Sequence, residues 1–434
     1  MPQSINILPP ELIFLVGNYS NYSDRVNLST TNSLFRDLLT PTIFRNIRLT
    51  NDVDDIEMIS NVVLKFGKYV RKISFSGLFD LPEDPISSDS EDGEDGDKEA
   101  HQKQVPDAIL KMLAGSDPLL PSIDDISIQF VPGPDEDMEN AFWQLTYEPD
   151  ANNIDYDPLR NLLEETFQAV SSNQQLKSLT LLELIPYRAP IWREKDFHKF
   201  LGNIDSFTLS LWGAGNGAGW EANTSEYYRN FCQELSEFFF KHLNSVTFIH
   251  LESSESGPLG DGEMHDIRLP LKPHHAPMCQ TLELVRCFVA EEVRDFVTSH
   301  AKSLQNIRLK DCFAEYEYGW QETTHEPRGW QKFFNEVVKS GPILSTLEIE
   351  NDLIPLAKGE QFGRGVESAG TQRIRAILTD PSSNRRLFSY VSLDDKYGMT
   401  FQSEEMNKER FDDGEDQRTY DELMRIVEAN AARR

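Results

Sequence analysis

The chain is poor in the features that crosslink, cross membranes or bind nucleic acid. It contains no run of eighteen apolar residues, so no transmembrane helix is expected. Its first residues lack a basic leader followed by an apolar run and a small-residue cleavage site. The expectation is a protein that neither contacts a membrane nor is secreted, residing in the cytoplasm or the nucleus. Cysteine is scarce: Cys232, Cys279, Cys287 and Cys312 are too few and too scattered for a disulfide framework, which suits a reducing compartment. The Asn-x-Ser sequons at Asn18, Asn21, Asn27 and Asn223 then have no meaning. Positive charge is scarce too, with 42 lysines and arginines against 72 acidic residues and a net charge of −30. Phosphate binding needs clustered basic side chains, so this balance argues against a nucleic-acid ligand.

The common signatures of catalysis are missing as well. There is no G-x-S-x-G elbow, no G-x-x-x-x-G-K-[ST] phosphate loop and no H-E-x-x-H helix. The run from Gly213 to Gly219 follows a predicted strand, as a dinucleotide loop would. However, Asn223, Thr224 and Ser225 separate it from the next helix, so a phosphate would meet no helix N-terminus, and a turn is the expectation. His274, His275, Cys279 and Cys287 are of zinc-ligand type but lack paired spacing. The expectation is no metal, no cofactor, no catalytic residue and no enzyme.

What the chain does have is enough apolar material for a large core, 39% hydrophobic and 10% aromatic over 434 residues. Much of the acidity is local. Ten acidic residues and one lysine lie between Asp80 and Glu99, a composition that buries too little apolar area to offset its ordering entropy. This stretch reads as a disordered acidic insertion at 80–104. A second acidic stretch, Pro134 to Pro158, carries Phe142, Trp143 and Tyr147, which suggest partial packing.

One pattern recurs: apolar, two residues, apolar, one residue, apolar. It occurs at Val70-Ile73-Phe75, Ile123-Ile126-Ile128, Leu176-Leu179-Leu181 and Ile204-Phe207-Leu209, then at Leu243-Val246-Phe248, Cys279-Leu282-Leu284, Leu304-Ile307-Leu309 and Leu344-Leu347-Ile349. Flanking copies are Phe44-Ile47-Leu49 and Phe388-Val391-Leu393. The last two positions alternate with a polar residue, as a short strand with one buried face requires. Amphipathic stretches of helical period lie between them, among them Ile56–Phe66, Leu159–Val170, Tyr227–Leu243, Val293–His300 and Trp330–Val338. Strand plus helix is the unit of a leucine-rich-repeat solenoid with a parallel sheet. A non-repeat α/β domain is the alternative.

The opening block reads as three short helices. Pro9 and Pro10 precede Glu11, which suits a helix start. Leu12, Ile13, Phe14, Leu15 and Val16 follow, and five consecutive apolar residues on a helix cannot all face one side. Ser23 and Asp24 are cap candidates for a second helix, with Val26, Leu28, Leu34 and Phe35 as candidate buried positions, and Pro41 is expected to stop a third. The spare apolar face packs either on a partner or on the following domain.

The residues Leu8, Pro9, Glu11, Leu12, Ile13, Val16, Leu34, Phe35, Arg36, Leu38, Pro41 and Phe44 fall where the F-box pattern has similar types. The block resembles that module, departing from it at Ser20 and Arg25. The tail Asp394-Asp395-Lys396-Tyr397-Gly398-Met399-Thr400-Phe401 with its final helix resembles the closing segment of fungal F-box repeat proteins. The resemblance implies an F-box-like helical domain at 1–50, a repeat solenoid at 51–395 and a capping segment or tail at 396–434. It implies a non-catalytic substrate receptor of a Skp-cullin-type ubiquitin ligase. Leu8, Pro9, Leu12, Ile13, Val16, Leu34 and Phe35 would bind a Skp-family adaptor, and through it a cullin. A protein substrate would lie on the strand face near Arg308, Lys310, Glu348 and Glu350. A ligase-independent interaction scaffold is the other reading.

Overall fold

The computed structural model describes residues 9–52, 56–81, 104–133, 138–146, 158–261, 265–315, 329–352, 354, 356 and 367–434. Leu8, Tyr147 and nearly all of the 80–104 insertion lie outside them. The chain forms two compact units, Met1–Pro134 with Asp155–Leu181, and Asp135–Ile154 with Leu182–Arg434. Both are α/β with parallel strands.

In the first unit, α1 (Pro10–Tyr19), α2 (Tyr22–Thr31) and α3 (Ser33–Ile43) come first, then β1 (Asn46–Thr50), α4 (Ile56–Phe66), β2 (Lys72–Phe79), α5 (Asp107–Leu113) and β3 (Asp125–Pro132). The second helix is capped by Asn21, whose side chain accepts from the Asp24 N–H at 2.8 Å, and not by Ser23 or Asp24. Asn32 caps α3 in the same way through the Phe35 N–H. Pro41 does not stop α3; it sits in the last turn, where a missing N–H costs a single bond and the helix still reaches Ile43.

Strands β1, β2 and β3 pair in parallel in chain order, with Ile47 against Ile73 against Ile126, and Leu49 against Phe75 against Ile128. These are the last two positions of the recurring triplet, and all six are buried. Asn51, just beyond β1, is buried and uses both ends of its amide, accepting from the Leu78 N–H and donating to the Leu78 carbonyl. This satisfies backbone groups that the end of the ladder would leave unpaired.

The second unit contains α6 (Met138–Thr146). The division falls between α7 (Pro158–Ser172), which belongs to the first unit, and the end of β4 (Ser178–Leu184). The rest follows as α8 (Lys195–Leu201), β5 (Ser206–Leu211), α9 (Glu226–Phe238), β6 (Phe248–Glu252), β7 (Thr281–Val285), α10 (Glu291–Ser299), β8 (Asn306–Lys310), β9 (Ala314–Glu315), α11 (Trp330–Lys339) and β10 (Thr346–Glu350). Next come α12 (Ala369–Thr379), β11 (Tyr390–Leu393), β12 (Thr400–Gln402), α13 (Glu404–Asp413) and α14 (Glu415–Ala431).

Here β5, β6, β7, β8 and β10 pair in parallel, with Phe207, Ile249, Leu282, Ile307 and Leu347 in one row. The register corrects the reading of β6. Its triplet is Val246-Ile249-Leu251, three residues on from Leu243-Val246-Phe248, and Phe248 lies on the outward face. Phe388-Val391-Leu393 is not a further rung either: β11 pairs in parallel with β9 and antiparallel with β12, in a separate three-stranded sheet.

The β7 and β8 repeats are the most regular, 25 residues apart. Cys279, Leu282, Leu284, Cys287 and Val289 superpose in sequence on Leu304, Ile307, Leu309, Cys312 and Ala314, and all ten are buried. The same apolar positions thus recur from the β7 unit to the β8 unit, with cysteine at the turn in both. The preceding residues, Arg286 and Asp311, adopt positive φ of 55° and 50°. That sharp turn directs each thiol back to strand carbonyls, Cys287 to Val285 and Cys312 to Leu284. At the chain's end α14 packs on α11 and β10 with Tyr420, Leu423 and Val427 buried, and Asn430 donates to the Pro342 and Leu344 carbonyls.

Candidate partner-docking surface

Helix α1 has two apolar faces. Ile13 and Gly17 face α3, where Ile13 joins Phe35, Leu39 and Ile43 in a small core backed by Val26, Leu28, Leu38 and Phe44. Gly17 lets the two helices approach there, because a Cβ at that position would push against Leu39 Cδ2 and the buried Leu39 side chain would have to shift. On the other side Leu12, Leu15, Val16 and Tyr19 recur at i, i+3, i+4 and i+7. With about 100° per residue these four fill an arc of about 100°. Their exposures are 45%, 48%, 50% and 89%. Phe14 and Tyr22 are exposed as well, as is Leu34 at the start of α3.

The seven positions expected to meet an adaptor therefore divide. Pro9, Leu12, Val16 and Leu34 are exposed. Ile13 and Phe35 are at 5% and 3%, inside the block's own core, so neither reaches a partner unless the block opens. Leu8 lies outside the described residues. Leu15 and Tyr19, not among the seven, share the exposed face with Leu12 and Val16, and the spacing from Leu12 was the available signal. Of the two departures from the F-box pattern, Ser20 ends α1, its hydroxyl donating to the Val16 carbonyl, and the partly buried Arg25 has no hydrogen-bond partner for its Nε among the described residues.

A second surface is the outward face of β6 to β10. One row reads His250, Glu283, Arg308 and Glu348 across four neighbouring strands. His250 Nδ1 meets Glu283 at 2.9 Å, Arg308 meets Glu350 at 2.9 Å and Glu348 at 3.7 Å, and Lys310 meets Asp352 at 2.9 Å. Arg286 pairs with Glu252. Burial alone would lower the His250 imidazole, but hydrogen bonds to Glu252 and Glu283 outweigh it and hold its pKa above the ordinary value. In return His250, and after it Arg286, hold the Glu252 carboxyl below its ordinary range. The four residues expected to hold a substrate are thus bonded among themselves and to their neighbours. Exposed pairs of this kind are weak, so they are exchangeable.

The zinc-type residues do not converge, and no group of three or more metal-ligating side chains occurs among the described residues. Cys279 fills a strand-entry slot in the core, and burial pushes its thiol up to about 12. Burial, and then the neighbouring His274, bring His275 down to about 4, and its Nδ1 accepts from the Lys272 N–H. The Gly213–Gly219 run forms an anchored loop, with Asn216 Oδ1 accepting from the N–H groups of Ala218 and Trp220. Asn223 is buried at 1%, donating to the Gly398 carbonyl.

No helix among the described residues is long and apolar enough to cross a membrane. No protein-family model matches the chain, and no curated protein matches it.

Proposed function

We propose that the chain is the substrate-recognition subunit of a Skp-cullin-type ubiquitin ligase, with α1 and α3 docking a Skp-family adaptor and the repeat units holding a protein substrate. The observation that carries this reading is the second apolar face of α1, formed by Leu12, Leu15, Val16 and Tyr19. Full burial of one such aliphatic side chain yields roughly 1.5–3 kcal/mol. Four large side chains left 45% to 89% exposed on a three-helix block are therefore better accounted for by a partner than by the block itself. The resemblance of the opening residues to the F-box supplies the identity of that partner.

In this reading the chain contributes no reacting group. It raises the effective concentration of substrate lysines beside a ubiquitin-charged enzyme, and its parts are an adaptor-binding end and a substrate-binding surface.

The test is co-expression with a Skp-family adaptor and affinity capture. The comparison is wild type against a Leu12→Asp and Val16→Asp double variant, chosen because both side chains are outside the core. Capture by the wild type and loss in a folded double variant is the expected result. A wild type that fails to capture the adaptor would overturn the proposal and leave a ligase-independent scaffold.

A further inference from the structure

Two sequence motifs that the proposed function does not use, the Gly213–Gly219 run and the Asp394–Phe401 segment, meet in the second unit. Asp394–Met399 is the turn between β11 and β12, closed by the Asp394 N–H to the Met399 carbonyl and the Gly398 N–H to the Asp394 carbonyl. Against it lies the loop between β5 and α9: the Glu221 N–H donates to the Tyr397 carbonyl at 2.9 Å, and Asn223 Nδ2 to the Gly398 carbonyl at 2.9 Å. A third loop, 253–257, joins through Ser254 Oγ to the Gly213 carbonyl and the Asn223 N–H to the Ser256 carbonyl. Gly219 at φ 97° brings the chain close to Met399 and Tyr397.

These contacts bring Trp220 against Tyr397, ring centroids 5.3 Å apart and planes at 67°. Trp220 remains 38% exposed. Glu221, Glu255 and Asp395 stand on the three loops that meet here, and their carboxylates have no hydrogen bond or ion pair among the described residues, unlike the paired acids of the strand face. Tyr397 already carries an ammonium group: Lys396 Nζ sits 4.5 Å from its ring centroid and bonds its hydroxyl at 2.9 Å. Tyr397 thus holds a cation supplied by its own chain, and the partly exposed Trp220 offers a second ring for one. An edge-to-face aromatic pair on loops that carry unpaired carboxylates is complementary to guanidinium or ammonium groups, which gain from the ring quadrupole and from the negative charge of the loops.

We infer that Trp220, Tyr397, Glu221, Glu255 and Asp395 form a docking corner for an arginine- or lysine-bearing segment of a partner protein. The binding itself stands apart from the adaptor reading; only the description of that partner as a ubiquitylation substrate rests on it.

The test is fluorescence anisotropy of the full chain with a labelled peptide of alternating glycine and arginine, and the same peptide carrying citrulline, a neutral isostere, as reference. The wild type should bind the arginine peptide and not the citrulline one. Trp220→Ala changes no charge and should weaken binding about tenfold, while Trp220→Phe retains most of it. The Leu12→Asp and Val16→Asp double variant should bind as wild type, so a failed adaptor capture leaves this result intact. Equal affinity for wild type and Trp220→Ala would show diffuse attraction to an acidic chain and overturn the proposal, as would no binding by the wild type.

Discussion

The Tyr390 hydroxyl donates to the buried Asp416 carboxylate at 2.9 Å, joining β11 to the start of α14. Arg410 Nη2 reaches the other carboxylate oxygen at 2.9 Å, and the Gln331 N–H at the start of α11 donates to that same oxygen. One carboxylate therefore ties together four elements of the chain's C-terminal part. Its burial pushes its pKa up even against the Arg410 charge.

Asp416→Ala should cost about 3 kcal/mol or more, because it leaves Arg410 and the Gln331 N–H without their buried partner. Tyr390→Phe removes one neutral donor and should cost about 1–2 kcal/mol. Urea unfolding followed by tryptophan fluorescence measures both, and a loss below about 1 kcal/mol for Asp416→Ala would contradict the network's role.

The two faces of α1 predict opposite outcomes for neighbouring residues. Leu12→Ser, on the exposed face, should shift stability by less than about 0.5 kcal/mol. Ile13→Ser puts a hydroxyl and a cavity among Phe35, Leu39 and Ile43, and should cost about 2–4 kcal/mol. Hydrogen exchange of α3 amides separates the two: it should accelerate for Ile13→Ser alone.

The four cysteines are buried and unpaired with one another. Burial raises the thiol pKa of each, to about 12 at Cys287. A thiol in that state is a poor nucleophile. A thiol-reactive dye should therefore label only a small fraction of one equivalent in the native chain and all four cysteines in denaturant. Rapid native labelling of Cys287 would count against the packing at the repeat turns.

His250 makes stability depend on pH in a defined direction. Its folded pKa is raised above the ordinary 6.5. The stabilisation is fully present below that unfolded value and is lost as the pH rises through the raised folded value. Wild type should lose more stability than His250→Gln between about pH 6 and about pH 8. Parallel pH profiles of the two proteins would disprove the contribution.

How far the sequence could be read depended on how local each signal was. β7 and β8 were legible because the triplets Cys279-Leu282-Leu284 and Leu304-Ile307-Leu309 have a single apolar register. β6 slipped because Val246 belongs to two overlapping triplets, and only pairing of Ile249 with Phe207 decides between them. Phe388-Val391-Leu393 has the right spacing, but its strand finds Ala314 as neighbour, a choice made by tertiary contact. On α1 the five apolar residues implied two faces. Which face was the inner one depended on Gly17 fitting against Leu39, and helical period alone gives angles without an origin. The corner at Trp220 was invisible for another reason: its defining bond, from Asn223 to Gly398, spans 175 positions.

Because α6 belongs to the second unit while α7 returns to the first, the chain cannot complete its folding in the order in which it is made. Phe142 on α6 is fully buried, with Trp212 and Tyr228 edge-on at 5.4 and 6.1 Å. Both of those residues lie beyond α7 and β4 in the sequence. During synthesis Phe142 is left without Trp212 and Tyr228 until α9 has emerged. Burial of Phe142 is therefore a late step in the folding of the second unit.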